Sequence, residues 1–390
     1  MKNVTILGAG QIGPVIASLL YQSGQYTVQI GDIDAQALHR LSISKFVNTF
    51  VIDVTDEVEI EKRLKGQDCV VSACPYWLNS GIARAAAKAG VSYFDLTEDI
   101  ATTNTVRSIA KTAADGLLFA PQCGLAPGFI GILAHHLCSH FEQLDEVKLR
   151  VGALPQYPSN ALMYNLTWST RGLINEYCNP CDAIQNGRRL QGVPLEELEN
   201  FSLDGISYET FNTSGGLGTL CETLTGKVRT LNYKTIRYPG HCDLIKFLLN
   251  DLRLNKRHDL LQEIFEQAIP ITQQDVVISF CTVTGWRDGC LEQVSDARKI
   301  YPLTLHGESV SAIQISTAAS LCAVLDMYLS GKISQTGFLK QEQIDLNHFL
   351  CNRFGRYYAG ASKDVSDSSK VQSKDKISEI DVNEKVVTLA

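Results

Sequence analysis

The sequence predicts an α/β protein: an N-terminal doubly wound parallel sheet, followed by an α+β domain with a mixed sheet. Three observations carry this. From Val4 to Ala120, short apolar strands alternate with segments whose apolar residues recur at helical spacing. Strands such as Cys69 to Ala73 are apolar throughout, as strands covered on both faces must be. Near Ala126 the rhythm changes, and from Asp145 onward strands show period-2 alternation or aromatic content.

The first strand (Val4, Ile6, Leu7) runs into Gly8-Ala9-Gly10-Gln11-Ile12-Gly13 and then a helix through Leu20. A second strand, Tyr26 to Ile30, leads to Asp32, nineteen residues beyond Gly13. Each glycine answers a need of dinucleotide binding. Gly8 turns the chain, Gly10 admits a pyrophosphate to the backbone, and Gly13 lets helix pack on strand. The helix then directs its free N–H groups and positive dipole end at the phosphates. Asp32 stands where a carboxylate accepts from both hydroxyls of the adenosine ribose, and it would repel a 2′-phosphate. Ile33 follows it and is no phosphate-binding arginine, while Arg40 is expected on a solvated helix face. The expectation is a Rossmann domain that takes NAD in preference to NADP.

The alternation continues with strand Phe50 to Asp53, helix Val58 to Leu64, strand Cys69 to Ala73 and helix Ile82 to Ala89. Strand Ser92 to Leu96, helix Thr105 to Ala114 and strand Leu117 to Ala120 complete it. Ligands of such sheets bind beyond the C-terminal strand ends. The cofactor loops are therefore Gly8–Gly13, Asp32–Asp34 (with Ile33), Asp53–Asp56 (Asp53, Val54) and Ala73–Trp77 (Ala73, Cys74, Pro75). Asp95–Asp99 and Pro121–Gly128 lie at the same edge.

In the second part, strands are expected over Glu146 to Gly152, Val228 to Arg237, Val276 to Trp286 and Ala297 to His306. Helices are expected around Arg171 to Asn175 and Asp243 to Leu254. The long apolar helix Ser311 to Leu329 is expected to return and cover the first sheet. The domain reading is 1–125 for the NAD domain, completed by 308–358; 126–307 for the substrate and dimerisation domain; and 359–390 for a disordered, Ser-, Lys- and acid-rich tail.

Composition narrows the class. A net charge of −7 leaves no basic footprint for nucleic acid. The first apolar run is a strand and not a leader, and the charge-free stretch Gly116 to Phe141 is interrupted by Pro121 and Pro127. No membrane association is expected. The 12 cysteines are scattered singly in apolar runs, apart from Cys178 and Cys181, and read as reduced residues of a cytoplasmic protein without a metal centre.

Four segments resemble the saccharopine dehydrogenase superfamily, most of all its lysine 6-dehydrogenase branch. They are Cys123-Gly-Leu-Ala-Pro-Gly128; Ser169-Thr-Arg-Gly-Leu-Ile-Asn-Glu-Tyr177 with Pro180; Tyr208-Glu-Thr-Phe-Asn-Thr-Ser-Gly-Gly216; and Arg237-Tyr-Pro-Gly-His241. The resemblance spans roughly residues 1 to 335. It implies NAD(P)-linked oxidation at a carbon–nitrogen bond of a lysine-type amino acid, by a homodimer. Saccharopine dehydrogenase itself is the alternative within the class, and a non-catalytic NAD(H)-sensing protein the alternative outside it.

The residues suit such chemistry. Arg171, opening a helix, could grip an α-carboxylate with its planar fork; Arg237 is a second candidate. His241, after Pro239-Gly240, could take a proton from the substrate amine. Tyr76 follows the fourth strand and Asp95 and Glu98 the fifth, where a carboxylate could accept the amine proton and stabilise the iminium. Cys123 would line the site through its backbone. Thr213-Ser-Gly-Gly-Leu-Gly218 is expected to cap the cleft. A saccharopine-like substrate would need an extra cation, and Arg188, Arg189, Lys227 and Arg229 are the open candidates.

Overall fold

The structure, a computed structural model, describes residues 1–41, 47–305 and 307–359. The tail beyond Ala359, and His306 at the end of an expected strand, lie outside the described residues.

The first part builds β1 (Lys2–Leu7), α1 (Gly13–Gln22), β2 (Tyr26–Asp32), α2 (Ala35–Arg40), β3 (Asn48–Val51), α3 (Glu57–Leu64), β4 (Cys69–Ser72), α4 (Tyr76–Ala89), β5 (Ser92–Asp95), α5 (Ile100–Ala110) and β6 (Leu118–Ala120). The strands pair in parallel in the order β6-β5-β4-β1-β2-β3. Every residue of β4 and β5 is buried, because both faces are covered. Leu7, Val70, Tyr93 and Phe119 face one apolar layer with Ile60, Ile82 and Val106 of α3, α4 and α5. Ile6, Val71, Phe94 and Ala120 face the other, with Ile16 and Leu20 of α1. The order reverses between β1 and β4, which opens a crevice there.

The second part contains α6 (Phe129–Cys138), β7 (Gln143–Pro155), α7 (Thr170–Cys178), β8 (Cys181–Gln185), β9 (Arg188–Gly192), β10 (Glu199–Leu203), β11 (Ile206–Asn212), α8 (Leu220–Leu224), β12 (Thr230–Arg237), α9 (His241–Lys246), α10 (His258–Ala268), β13 (Asp275–Arg287) and β14 (Cys290–Ile300). A short hairpin, β15 (Leu303–Leu305) and β16 (Glu308–Val310), precedes α11 (Ala312–Leu329) and β17 (Gly337–Phe338). The main path of this 8-stranded sheet is β10-β11-β12-β7-β13-β14. β12 and β7 are parallel and the other neighbours antiparallel, so the sheet is mixed.

Four strands, β8 to β11, were not expected, and β14 starts at Cys290 where a strand was expected from Ala297. Asn186-Gly187, Asp204-Gly205 and Asp288-Gly289 all have positive φ and join β8 to β9, β10 to β11 and β13 to β14. Consecutive left-handed residues give the tight hairpin turn whose twist matches the strands, and Asn/Asp-Gly tolerates it best.

β17 adds to the outer edge of β6, extending the first sheet to seven strands. Helix α11 is long and apolar enough to cross a membrane, but most of it is buried. It packs against both α1 and β13. Its Ala318, Leu321, Cys322 and Leu325 share one continuous core with Ile16, Leu20 and Val277. Residues that follow β4 and β5 line one cavity with residues of α7 and β12.

Candidate active site

The loop after β1 has the geometry its glycines imply. Gly8 adopts φ +109°, and a Cβ there would lie 2.7 Å from the Ala73 carbonyl oxygen. A Cβ on Gly13 would lie 1.9 Å from the Gly8 carbonyl oxygen, so only glycine lets α1 approach the strand. Gly10, by contrast, has nothing within 4 Å of its Cβ position. That open backbone, at the N-terminus of a ten-residue helix, is a cradle fitted to a pyrophosphate. Asp32 Oδ2 accepts from the Ala9 amide at 2.6 Å, and Oδ1 accepts from Asp34 N at 2.9 Å. The carboxylate expected at the ribose thus also braces the glycine-rich loop. Ile33 beside it is 67% exposed. Asp53 turns back to accept from the amide and hydroxyl of Thr55, which holds its carboxyl below the usual range, with Val54 half-buried next to it. No cation pairs with Asp32 among the described residues, and Arg40 donates to Gln36.

A cavity of about 460 Å³ starts at Gly10, Gln11 and Ile12 and passes Ala73, Cys74 and Pro75. It runs on to Trp168, Arg171, Glu176, Tyr233 and Arg237 of the second part. Its charged lining consists of two guanidiniums, Arg171 and Arg237, and two carboxyls, Glu98 and Glu176. Burial raises both carboxyls: Glu98 to about 7, opposed by a hydrogen bond from Asn175, and Glu176 to about 8, reinforced by the nearby Glu98. Tyr76 also lines the cavity, its hydroxyl pushed up by burial and by Asp99.

Local folding sets these side chains. Ser169 caps α7 by accepting from Gly172 N at 3.1 Å, which starts the helix at Thr170 and sends Arg171 outward. Its guanidinium lies 4.7 Å from the Trp77 ring, and Trp77 is 49% exposed in the first turn of α4. α4 begins at Tyr76, six residues before its expected start, with Pro75 in the N-cap position. Arg237, at the end of β12, is 2% exposed. No carboxylate forms an ion pair with Arg171 or Arg237 among the described residues.

Three expected catalytic residues stand outside this cavity. Asp95 is fully buried at the end of β5, where its carboxylate accepts from Tyr93 Oη, Thr97 N and Gln122 N; it ties β5 to the loop after β6. Cys123 donates its thiol to the Ala120 carbonyl and accepts from Gln341, and burial pushes the thiol well up. Its neighbours Gly124, Leu125 and Ala126 supply the lining instead. His241 is 1% exposed, and burial together with Arg237 pushes it down to about 3, which holds the ring in its neutral form. The glycine-rich loop 213–218 is not a lid but a support behind the site. A Cβ on Gly215 would lie 2.9 Å from the Glu98 carbonyl, and one on Gly216 would lie 2.3 Å from the Tyr233 ring. Arg189 pairs with Asp182 and Arg229 with Asp145; neither of these, nor Arg188 or Lys227, reaches the cavity.

Glu176, Trp168 and Tyr233 were not anticipated, and Trp77 only as the end of the Ala73–Trp77 loop. Glu176 had a readable signal. It sits at helical spacing among Gly172, Leu173 and Tyr177, on a face otherwise buried. A carboxyl on such a face needs either a partner or a cavity.

A nucleotide cradle opening into a charged, amino-acid-sized cavity is the arrangement of a dinucleotide-linked oxidoreductase. Comparison with known proteins gives the family. The saccharopine dehydrogenase NADP binding domain matches residues 4–119, and the saccharopine dehydrogenase C-terminal domain matches residues 124–355. The chain belongs to the saccharopine dehydrogenase family, whose members are oxidoreductases acting on CH–NH donors. It is 24% identical over 327 residues to saccharopine dehydrogenase [NADP(+), L-glutamate-forming] of Saccharomyces cerevisiae, covering 74% of this chain and 68% of that protein. It is 20% identical over 366 residues to the mitochondrial alpha-aminoadipic semialdehyde synthase of Bos taurus, covering 85% of this chain but 38% of that one. The apo structure of the Saccharomyces cerevisiae saccharopine dehydrogenase shares the fold, with TM-score 0.72 and 16% identity over 88% of this chain and 94% of that one. These matches establish the family and not a branch within it.

Proposed function

We propose that the protein oxidises a C–N bond of a lysine-type amino acid and uses NAD as acceptor. The observation that carries this reading is one cavity that joins the Gly10–Ile12 cradle to two carboxyls raised by burial and to two guanidiniums that form no ion pair among the described residues. Gly8, Gly10, Gln11, Ile12, Gly13 and Asp32 would hold the dinucleotide, with Ala73, Cys74 and Pro75 beside its reactive end. The nicotinamide, when bound, supplies the hydride acceptor.

Arg171 at the mouth offers a fork to the substrate's α-carboxylate in two parallel bonds. The substrate amine must lose a proton before its carbon can give up hydride. Glu98 and Glu176, titrating at about 7 and 8, suit that proton at working pH. Tyr76 and Tyr233 flank them and limit water. A lysine substrate, as in the lysine 6-dehydrogenase reading, needs only one carboxylate clamp. Arg237 is a second guanidinium in the cavity, and it favours a lysine substituted by a second carboxylate-bearing arm, as in saccharopine.

Asp32 supports NAD, although the family domain and the yeast relative carry NADP in their names. The test is nicotinamide absorbance at 340 nm with L-lysine, L-saccharopine and a panel of other amino acids, each with NAD and NADP. Turnover confined to lysine-type substrates and at least about tenfold better with NAD supports the reading; a tenfold ratio corresponds to about 1.4 kcal/mol. No turnover with any lysine-type substrate, or equal use of both cofactors, contradicts it.

A further inference from the structure

Arg237 is held by a hydrogen-bonded chain whose other members do not line the cavity. Its Nε donates to Tyr177 Oη at 2.9 Å and its Nη1 to the Ile236 carbonyl at 2.8 Å. Tyr177 Oη lies 3.0 Å from His241 Nε2, and His241 Nδ1 lies 2.8 Å from the Leu162 carbonyl oxygen. A carbonyl only accepts, so Nδ1 carries the proton and Nε2 is the acceptor. Tyr177 Oη accepts from Arg237 and therefore gives its own proton to Nε2. Every donor in this series has one acceptor, and the direction of each bond is determined.

The far end is fixed as well. Glu209, 3% exposed, accepts from the amides of Gly240 and Cys242 at 2.8 and 2.6 Å, which locks the turn carrying His241. The imidazole stacks on Phe211 and meets Tyr164 at 5.3 Å between ring centres. Tyr164 and Tyr177 also flank the guanidinium, 5.1 and 5.7 Å from its carbon. A buried guanidinium is ordinarily found in an ion pair; Arg237 forms none among the described residues, although Glu176 of the same cavity acts on it through space. Here Tyr177 Oη takes Nε and the Ile236 carbonyl takes Nη1, and Nη2 has no protein partner among the described residues.

We propose that His241 and Tyr177 are positioning residues, which orient the Arg237 guanidinium so that its uncommitted edge receives a substrate carboxylate. The proposal rests on the reading of the cavity as an amino-acid site. It assigns His241 no proton transfer to substrate. It explains why a histidine follows the Pro239-Gly240 turn: a ring that accepts at one nitrogen and donates at the other spans from Tyr177 to Leu162.

The variants H241Q, H241L and Y177F, in the full-length protein, test this. Glutamine carries an acceptor and a donor on one planar group, as neutral histidine does, whereas leucine carries neither. For the carboxylate-bearing substrate, H241L and Y177F should raise KM by about 10- to 100-fold, the range set by stranding a buried polar partner, with kcat changed less than about threefold. H241Q should recover most of that loss, and the pH profile of kcat/KM should keep both limbs in all three variants. Calorimetric titration with glutarate, a simple dicarboxylate, should weaken by a similar factor in H241L and Y177F. If H241L and H241Q are equally inactive in kcat and one limb of the pH profile disappears, His241 carries protons and the proposal is overturned. Unchanged KM and unchanged glutarate affinity in Y177F, the smallest of the three changes, overturn it too. If the unaltered protein oxidises no amino acid, the proposed function fails, and the glutarate comparison still decides the positioning role.

Discussion

Replacing Arg171 by lysine separates a substrate clamp from a structural surface arginine. Arg171 is exposed, makes no ion pair among the described residues and touches the fold through its stacking on Trp77 at 4.7 Å. An exposed cation–π contact contributes about 0.5–1 kcal/mol, and lysine retains part of it, so the melting temperature should move by no more than a few degrees. The substrate effect should be far larger. Lysine keeps the charge but cannot present two parallel donors to a carboxylate. Losing such a charge-assisted clamp costs about 2–4 kcal/mol, or roughly 30- to 1,000-fold in kcat/KM. Because the α-carboxylate is gripped equally before and during hydride departure, the loss should fall mainly on KM. NAD affinity should stay within about threefold, since Arg171 lies on α7 and not on the nucleotide cradle. The assay is steady-state kinetics beside cofactor titration on one preparation. A collapse of NAD binding with KM preserved would show that Arg171 is not the clamp, and the amino-acid reading would lose its main support.

Asp32→Ala should lower kcat/KM with NAD more than with NADP, narrowing a preference of at least about tenfold; an unchanged ratio would mean that Asp32 only braces Ala9. The cavity carboxyls also make stability depend on pH in the ligand-free protein. Glu98 and Glu176 are raised from 4.5 to about 7 and about 8, so the folded state binds more protons than the unfolded state between these values. Their stabilising contribution is fully present below about pH 4.5 and is lost as pH rises through 7 to 8. Glu176→Gln should flatten the fall in melting temperature over pH 6 to 9, and an undiminished slope would place the titrating group elsewhere.

The nucleotide half was legible because its geometry admits few residue types. Gly8 and Gly13 have no room for a Cβ, Gly10 has nothing beside it, and Asp32 must sit at the end of β2. Continuous apolar strands named the parallel sheet for the same reason. The second sheet was harder to read. β9 and β10 are short and largely exposed, so they carry no alternation to detect. Their signal was in the turns, at Asn186-Gly187 and Asp204-Gly205. Within the site, one or two positions decided the outcome. Asp95 is the last residue of β5 and faces into the sheet, whereas Glu98, three residues on, has left the strand and reaches the cavity. For His241 the sequence offers only histidine's ordinary pKa, and the fold adds its burial beside Arg237. Glu176 was legible only through its place on the apolar face of α7, and the elements that close a cavity over that face were not.

Isotope transfer tests the central claim most directly. The substrate oxidised in the amino-acid panel is prepared with deuterium on the carbon that bears its distal nitrogen. It is incubated with the protein and NAD, and the reduced cofactor is isolated for mass spectrometry. Direct hydride removal from that carbon predicts reduced nicotinamide that carries deuterium from the substrate, with its signal lost when unlabelled substrate is used. Reduced cofactor without deuterium would show that the hydride does not come from the carbon bearing the distal nitrogen, and the lysine 6-dehydrogenase reading would be wrong.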